Sequence, residues 1–292
     1  MKMYTVMLTN LTLCGCVTFA AQTNPRPAGA DVTEHTKVED QVNAQLEPNT
    51  AVMESTFKIV GPNSIGSGFI VGRPFGSGSA LRYRYVLVTA AHVFADTVGE
   101  FVDVVYRRQN ASGTWGSVTA QLRIRQGIVP LWTQHPQADV AVMYVSVPDG
   151  VMSGGVLSTE VLADDAKLRS YGIHPGDEVS CVGFPMGAES KPSGFPILRT
   201  GKIASYPLLP TIETKYFLID FPVFPGNSGG PAYILYGGMR GNQLVLGTGL
   251  GIVGLVSREQ IFANRIPLGI AEVVHATLIS ATISQLPAPD QN

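Results

Sequence analysis

The chain has 292 residues, of which 45% are hydrophobic and only 14% charged, with a formal net charge of -2. That length and apolar content allow one or two domains around a sizeable core and exclude a disordered protein. The near-neutral balance removes any electrostatic reason to expect nucleic acid as a partner.

Residues 1–21 read as an export signal. Lys2 supplies the charge, residues 3–20 are apolar or small, and Thr18-Phe19-Ala20 offers a small-x-small cleavage site before Ala21. Leu13-Cys14-Gly15-Cys16 resembles a bacterial lipoprotein box, which would put a lipid on Cys16. Cys14 departs from that pattern, and cleavage without a lipid is the preferred reading. Polar residues interrupt the segment and no long stop-transfer run follows, so a periplasmic or extracellular protein without a stable membrane span is expected. Residues 22–51 are polar and predict a loose arm.

The folded part is expected over residues 52–286. Alternation and β-branched content predict strands at 55–60, 67–71, 85–89, 101–107, 117–125 and 140–147 in a first half of about 52–150. A second half of about 170–262 offers 178–184, 198–204, 216–221, 231–235, 244–248 and 252–256. The 32 glycines and 20 prolines punctuate these segments, and no helical pattern alternates with them. The prediction is an all-β fold of two six-stranded antiparallel β-barrels packed side by side. Ile270, Val273, Val274, Leu278, Ile279 and Ile283 recur at helical spacing and predict a C-terminal helix over 270–286. Cys181, the one cysteine of the body, excludes an internal disulfide there and reads as a buried structural thiol.

The most informative stretch is Phe224-Pro225-Gly226-Asn227-Ser228-Gly229-Gly230-Pro231. So little side-chain bulk leaves Ser228 exposed and frees the amides of Gly226 and Ser228 to converge on one spot. Two such donors beside a hydroxyl suit an oxyanion in acyl transfer. An ordinary Gly/Pro turn with a surface serine is the plainer reading of the same residues, so the motif needs partners. His92 follows the hydrophobic run Val86-Leu87-Val88-Thr89-Ala90-Ala91, which puts its imidazole at the mouth of a packed core. A histidine acting as base needs an orienting carboxylate. Asp139, at the entry to the apolar run 140–147, is the favoured one; Asp96 reads as the end of a helical turn and Asp103 as the polar face of a strand.

Gly66-Ser67-Gly68-Phe69-Ile70-Val71, Thr89-Ala90-Ala91-His92, Ala138-Asp139-Val140-Ala141-Val142 and Gly226-Asn227-Ser228-Gly229-Gly230-Pro231 stand in one order. Together they resemble the trypsin-like, chymotrypsin-fold serine peptidase superfamily, in particular the bacterial branch with the high-temperature-requirement proteases and glutamyl endopeptidases. The resemblance covers roughly residues 52–283. It implies a cofactor-free endopeptidase acting on polypeptides, with His92 as base, Asp139 steadying it and Ser228 as nucleophile. It makes Gly226 and Ser228 the oxyanion donors. It also likens the segment with Val253, Leu255 and Ser257 to the edge strand that pairs with an extended substrate. Asn227 stands where the animal digestive members carry the aspartate that captures a new N-terminus. Pro222 stands where an arginine- or lysine-selecting member carries an acid, which favours an apolar or small substrate side chain.

Two other classes fit parts of the pattern. Gly226-x-Ser228-x-Gly230 matches the α/β-hydrolase nucleophile elbow, but the one aspartate after it, Asp290, follows the one histidine, His275, where that fold places its acid before the histidine. A non-catalytic trypsin-like domain that binds or scaffolds is the other. No paired spacing of histidines suggests a metal site.

Overall fold

The computed structural model describes residues 47–78, 81–152, 156–240, 243–262 and 266–289. The expected export signal, Cys16 and most of the polar arm lie outside the described residues. The end of that arm is not loose: residues 48–51 open helix α1 (Pro48–Ser55), with Pro48 in its first turn and the Glu47 carboxylate accepting from the amides of Asn49 and Thr50.

The first barrel is one eight-stranded sheet. Its strands are β1 (Thr56–Val60), β2 (Ile65–Phe75), β3 (Arg82–Thr89), β4 (Phe101–Gln109), β5 (Trp115–Arg123) and β9 (Ala141–Tyr144), with two-residue strands β8 (Thr133–Gln134) and β10 (Leu157–Ser158). Between β5 and β8 lies a small ribbon of β6 (Arg125–Gln126) and β7 (Val129–Pro130). The order is β5-β4-β1-β2-β3-β9-β8, with β10 parallel to β2. The six longer strands are those the alternation predicts. Val102, Val104 and Tyr106 of β4 point inward and are buried, as period-two alternation requires. Val86, Leu87 and Val88 of β3 are all fully buried, because β3 runs between β2 and β9 with both faces covered. Each such side chain contributes about 1.5–3 kcal/mol of apolar burial.

The second barrel comprises β11 (Glu178–Gly183), β12 (Ile197–Lys202), β13 (Tyr216–Asp220), β14 (Pro231–Arg240), β15 (Gln243–Phe262) and β16 (Ile266–His275). They run in the order β12-β11-β14-β15-β16-β13, and a bridge between Ile203 and Ile219 joins the outer strands. Helix α2 (Ala91–Ala95) follows β3, α3 (Asp165–Ser170) lies between the barrels in sequence, and α4 (Ala276–Ser284) ends the domain. Cys181 is 3% exposed, unpaired, and burial pushes its thiol pKa up.

The terminal helix is shorter than expected. Ile270, Val273 and Val274 belong to β16, where Val273 stands between Val256 of β15 and Phe217 of β13. A strand covered on both faces shows an apolar run that also satisfies helical spacing, so periodicity cannot separate the two. The segments expected at 244–248 and 252–256 are one strand, β15. Leu278, Ile279 and Ile283 of α4 then return to the core of the first barrel, which ties the end of the chain to its beginning.

Candidate active site

Asp139 sits in the tight connection between β8 and β9, held by the amide of Val140 donating to the carbonyl of Ala138. His92 is the second residue of α2, placed there because β3 stops at Thr89 and Ala90 turns the chain into the helix. The two side chains meet: Asp139 Oδ2 lies 2.7 Å from His92 Nδ1, and Asp139 Oδ1 accepts from the His92 amide at 3.0 Å. Ser257 Oγ donates to Asp139 Oδ2 at 2.6 Å.

Burial raises the Asp139 pKa, but the hydrogen bond and charge of His92, the Ser257 hydroxyl and the His92 amide outweigh it, so the net shift is downward. Burial lowers His92, and the hydrogen bond and charge of Asp139 overturn that as well, leaving it above its ordinary value of 6.5. An ionised carboxylate can only accept, so the proton between them belongs to Nδ1. The Nε2 lone pair is then free on the other side of the ring.

Ser228 lies in the turn ahead of β14. Its Oγ donates to the carbonyl of Ser257 at 2.8 Å rather than to the imidazole. Ser257 thus touches both Ser228 and Asp139. The carbonyl of Pro225 accepts from the Met186 amide at 2.6 Å. A trans peptide points its C=O and N–H to opposite sides, so this bond turns the Gly226 N–H away from Met186. Among the described residues the amides of Gly226 and Ser228 have no hydrogen-bond partner. The turn requires glycine: Gly226 has φ 97°, and a Cβ there would lie 2.2 Å from the Phe184 carbonyl oxygen; Gly229 has φ 86° with Ser67 O at 2.1 Å from its Cβ position.

Val253 and Leu255 do not form a free edge. Both are buried, and β15 is paired on both sides there: Leu255 stands between Pro231 of β14 and Val274 of β16. Pairing with β14 stops at Leu255, and the Val256 amide and carbonyl still bond to Gly230 and Gly229. Beyond a bulge at Ser257, Arg258 and the residues after it pair with β16 alone. The edge open to another strand therefore begins past the segment expected. Arg258 Nε donates to Glu272 Oε1 at 2.8 Å on that edge. The alternative elbow histidine, His275, is 2% exposed and packs tilted against Phe217 with ring centroids 4.7 Å apart; both its ring nitrogens lack a partner among the described residues, and burial takes its pKa down to about 4.

With these positions brought together, residues 66–240 match the trypsin-like peptidase domain. The chain belongs to that family. The match takes in positions 92, 139 and 228 of this trypsin-like peptidase domain together. No curated protein matches in sequence. Among solved structures the domain is similar to the inactive form of a serine-to-alanine mutant of Rv3671c from M. tuberculosis H37Rv, at 17% identity over 84% of this chain and 98% of that one, TM-score 0.44. It is also similar to a human pathogenic astrovirus serine protease (14% identity, 76% and 89% of the two chains, TM-score 0.41). A third is the thermostable serine protease AL20 from an extremophilic microorganism (14%, 80% and 96%, TM-score 0.45).

Three residues build the site in ways the sequence does not show, although Ser67 and Thr89 lie in the segments that carry the resemblance. Ser67 Oγ donates to the Gly226 carbonyl at 2.6 Å and accepts from the Phe184 amide at 3.0 Å, while its amide donates to the Ser228 carbonyl at 2.8 Å. Thr89 Oγ1 in turn donates to Ser67 O at 2.7 Å. Ser257, expected as a substrate contact, also holds Asp139. Among the described residues no cluster of three histidine, cysteine or acidic side chains could hold a metal ion.

Proposed function

We propose that this trypsin-like peptidase domain is an exported serine endopeptidase using His92, Asp139 and Ser228. The observation that carries the reading is Ser257, whose carbonyl takes the Ser228 hydroxyl and whose own hydroxyl takes Asp139, so that the serine turn and the His–Asp pair share one residue. For attack, Ser228 leaves the Ser257 carbonyl by a rotamer change and presents its hydroxyl to His92 Nε2. Oγ then bonds to the scissile carbonyl carbon as its proton passes to Nε2, and the carbonyl oxygen becomes an oxyanion held by the amides of Gly226 and Ser228. Collapse breaks the C–N bond, and the amine leaves with the proton from His92. Water repeats the sequence on the acyl-enzyme and releases the acid. The substrate pairs in extended form with the open edge of β15 past Ser257.

Phe221 and Val223 are buried and Pro222 brings no charge, which supports an apolar or small residue beside the cleaved bond. The leader at residues 1–21 supports export. Among the described residues no helix is long and apolar enough to cross a membrane. A fluorophosphonate probe tests the reading directly: the purified protein should label and cleave a mixed peptide library after apolar or small residues, and Ser228→Ala should do neither. A folded wild-type protein that stays unlabelled would make this a binding domain.

A further inference from the structure

We propose that the ion pair between Lys58 of β1 and Glu189 positions the oxyanion amides of the serine turn. The inference rests on the endopeptidase reading above. The orientation of the Gly226 N–H depends on the bond from the Met186 amide to the Pro225 carbonyl. Met186 holds a left-handed backbone, φ 53° and ψ 25°, which a residue with a side chain keeps only where its surroundings impose it. What imposes it is a set of ties around residues 184–195. Upstream, the Phe184 amide donates to Ser67 Oγ. Within the turn, Gly187 and Ala188 amides return to the carbonyls of Phe184 and Pro185. Immediately downstream, the Glu189 carboxylate meets Lys58 Nζ at 2.5 Å, across from the first barrel. Lys58 Nζ also lies 5.6 Å above the Phe184 ring, so one ammonium grips both ends of the Met186 turn. Farther on, the Phe195 ring packs 4.7 Å from the Arg107 guanidinium.

The pair is mostly shielded, with side chains 15% and 21% exposed, where attraction is stronger than in water and removal of one charge strands the other. Asn227 cannot supply a comparable charge to order the turn. It is neutral, and its Oδ1 is already engaged by the Phe224 amide at 2.9 Å. Glu189 and Lys58 thus act on the reaction through Met186 and Pro225 without touching substrate.

The test compares wild type with Glu189→Gln, Lys58→Gln and the charge swap Lys58→Glu/Glu189→Lys, measuring kcat and KM on a peptide substrate, inhibition by a peptide boronic acid and Tm. Each single variant should lose about tenfold in kcat with KM within about twofold, less than the 10²–10³ for a donor removed outright. Boronate affinity, which depends on the same amides, should weaken by the same factor, and the swap should recover both. Single variants with unchanged kcat overturn the proposal. So does a swap that regains Tm but neither kcat nor boronate affinity, since the pair is then only structural. If the wild type neither labels with fluorophosphonate nor cleaves peptides, the endopeptidase reading fails and this inference with it. Activity in wild type and Glu189→Gln alike sinks the inference alone.

Discussion

His92 and Asp139 move each other's titration in opposite directions, and Ser257 adds a second donor to the same carboxylate oxygen. His92 must be neutral to accept a proton, so kcat/KM should rise with pH through a midpoint above the ordinary histidine value. Asp139→Asn removes the charge that holds the midpoint up and can leave the wrong nitrogen protonated. Activity should then fall by about 10⁴ and the remaining midpoint should shift down, both visible in one pH–rate profile. Gly226→Ala is the complementary test of the turn. A methyl 2.2 Å from the Phe184 oxygen at φ 97° must rotate the peptide, so kcat should drop by about 10²–10³ in steady-state assays. His92 and Ser228 were readable as candidates because a small-residue context and a Gly/Pro turn are local features. The dual role of Ser257 was not, because neither partner lies near it in sequence.

At the scale of elements, α1 shows how a polar stretch gains structure from its neighbour. Isolated helices this short are marginal in water, so composition alone predicts a loose arm. In the fold, Arg107 of β4 captures it: Nη2 donates to the carbonyls of Thr56, Met53 and Glu54 at 2.6, 3.0 and 3.1 Å. The guanidinium lies 4.8 Å from the Phe57 ring, and burial lowers its pKa to about 10 against the raising fields of Glu54 and Glu189. Arg107→Met keeps the bulk and loses those bonds. It should lower the unfolding free energy in urea by about 2 kcal/mol. β16 is the opposite case: its residues have a strong apolar pattern, but burial on both faces erased the period that tells strand from helix.

For the whole molecule, the proposed catalytic pair couples activity to stability with opposite signs. The folded pKa of His92 is raised, so its pairing stabilises fully below the unfolded value of about 6.5 and the gain is lost as pH rises through the folded pKa. Asp139 is lowered, so its share is present above its unfolded value and lost only as pH falls through its folded pKa. Between about pH 6 and 9 the unfolding free energy of Ser228→Ala, which removes self-digestion, should therefore decline while wild-type activity climbs. Replacing His92 by Gln in that background should flatten the decline in denaturant titrations. His92 follows β3 and Asp139 precedes β9, neighbouring strands of the first barrel, so one sheet holds both halves of this pair.

The strand-rich class and the family were legible in the sequence, and positions 92 and 228 stood out there as candidates, because turn chemistry, alternation and short motifs are written in consecutive residues. The tertiary structure alone decided which carboxylate reaches the imidazole and which edge of β15 stays open. It alone brought Ser67 and Ser257 to the serine turn, and Lys58 to Glu189. Those contacts join residues far apart along the chain, and only the closing of the barrels brings them within hydrogen-bonding distance.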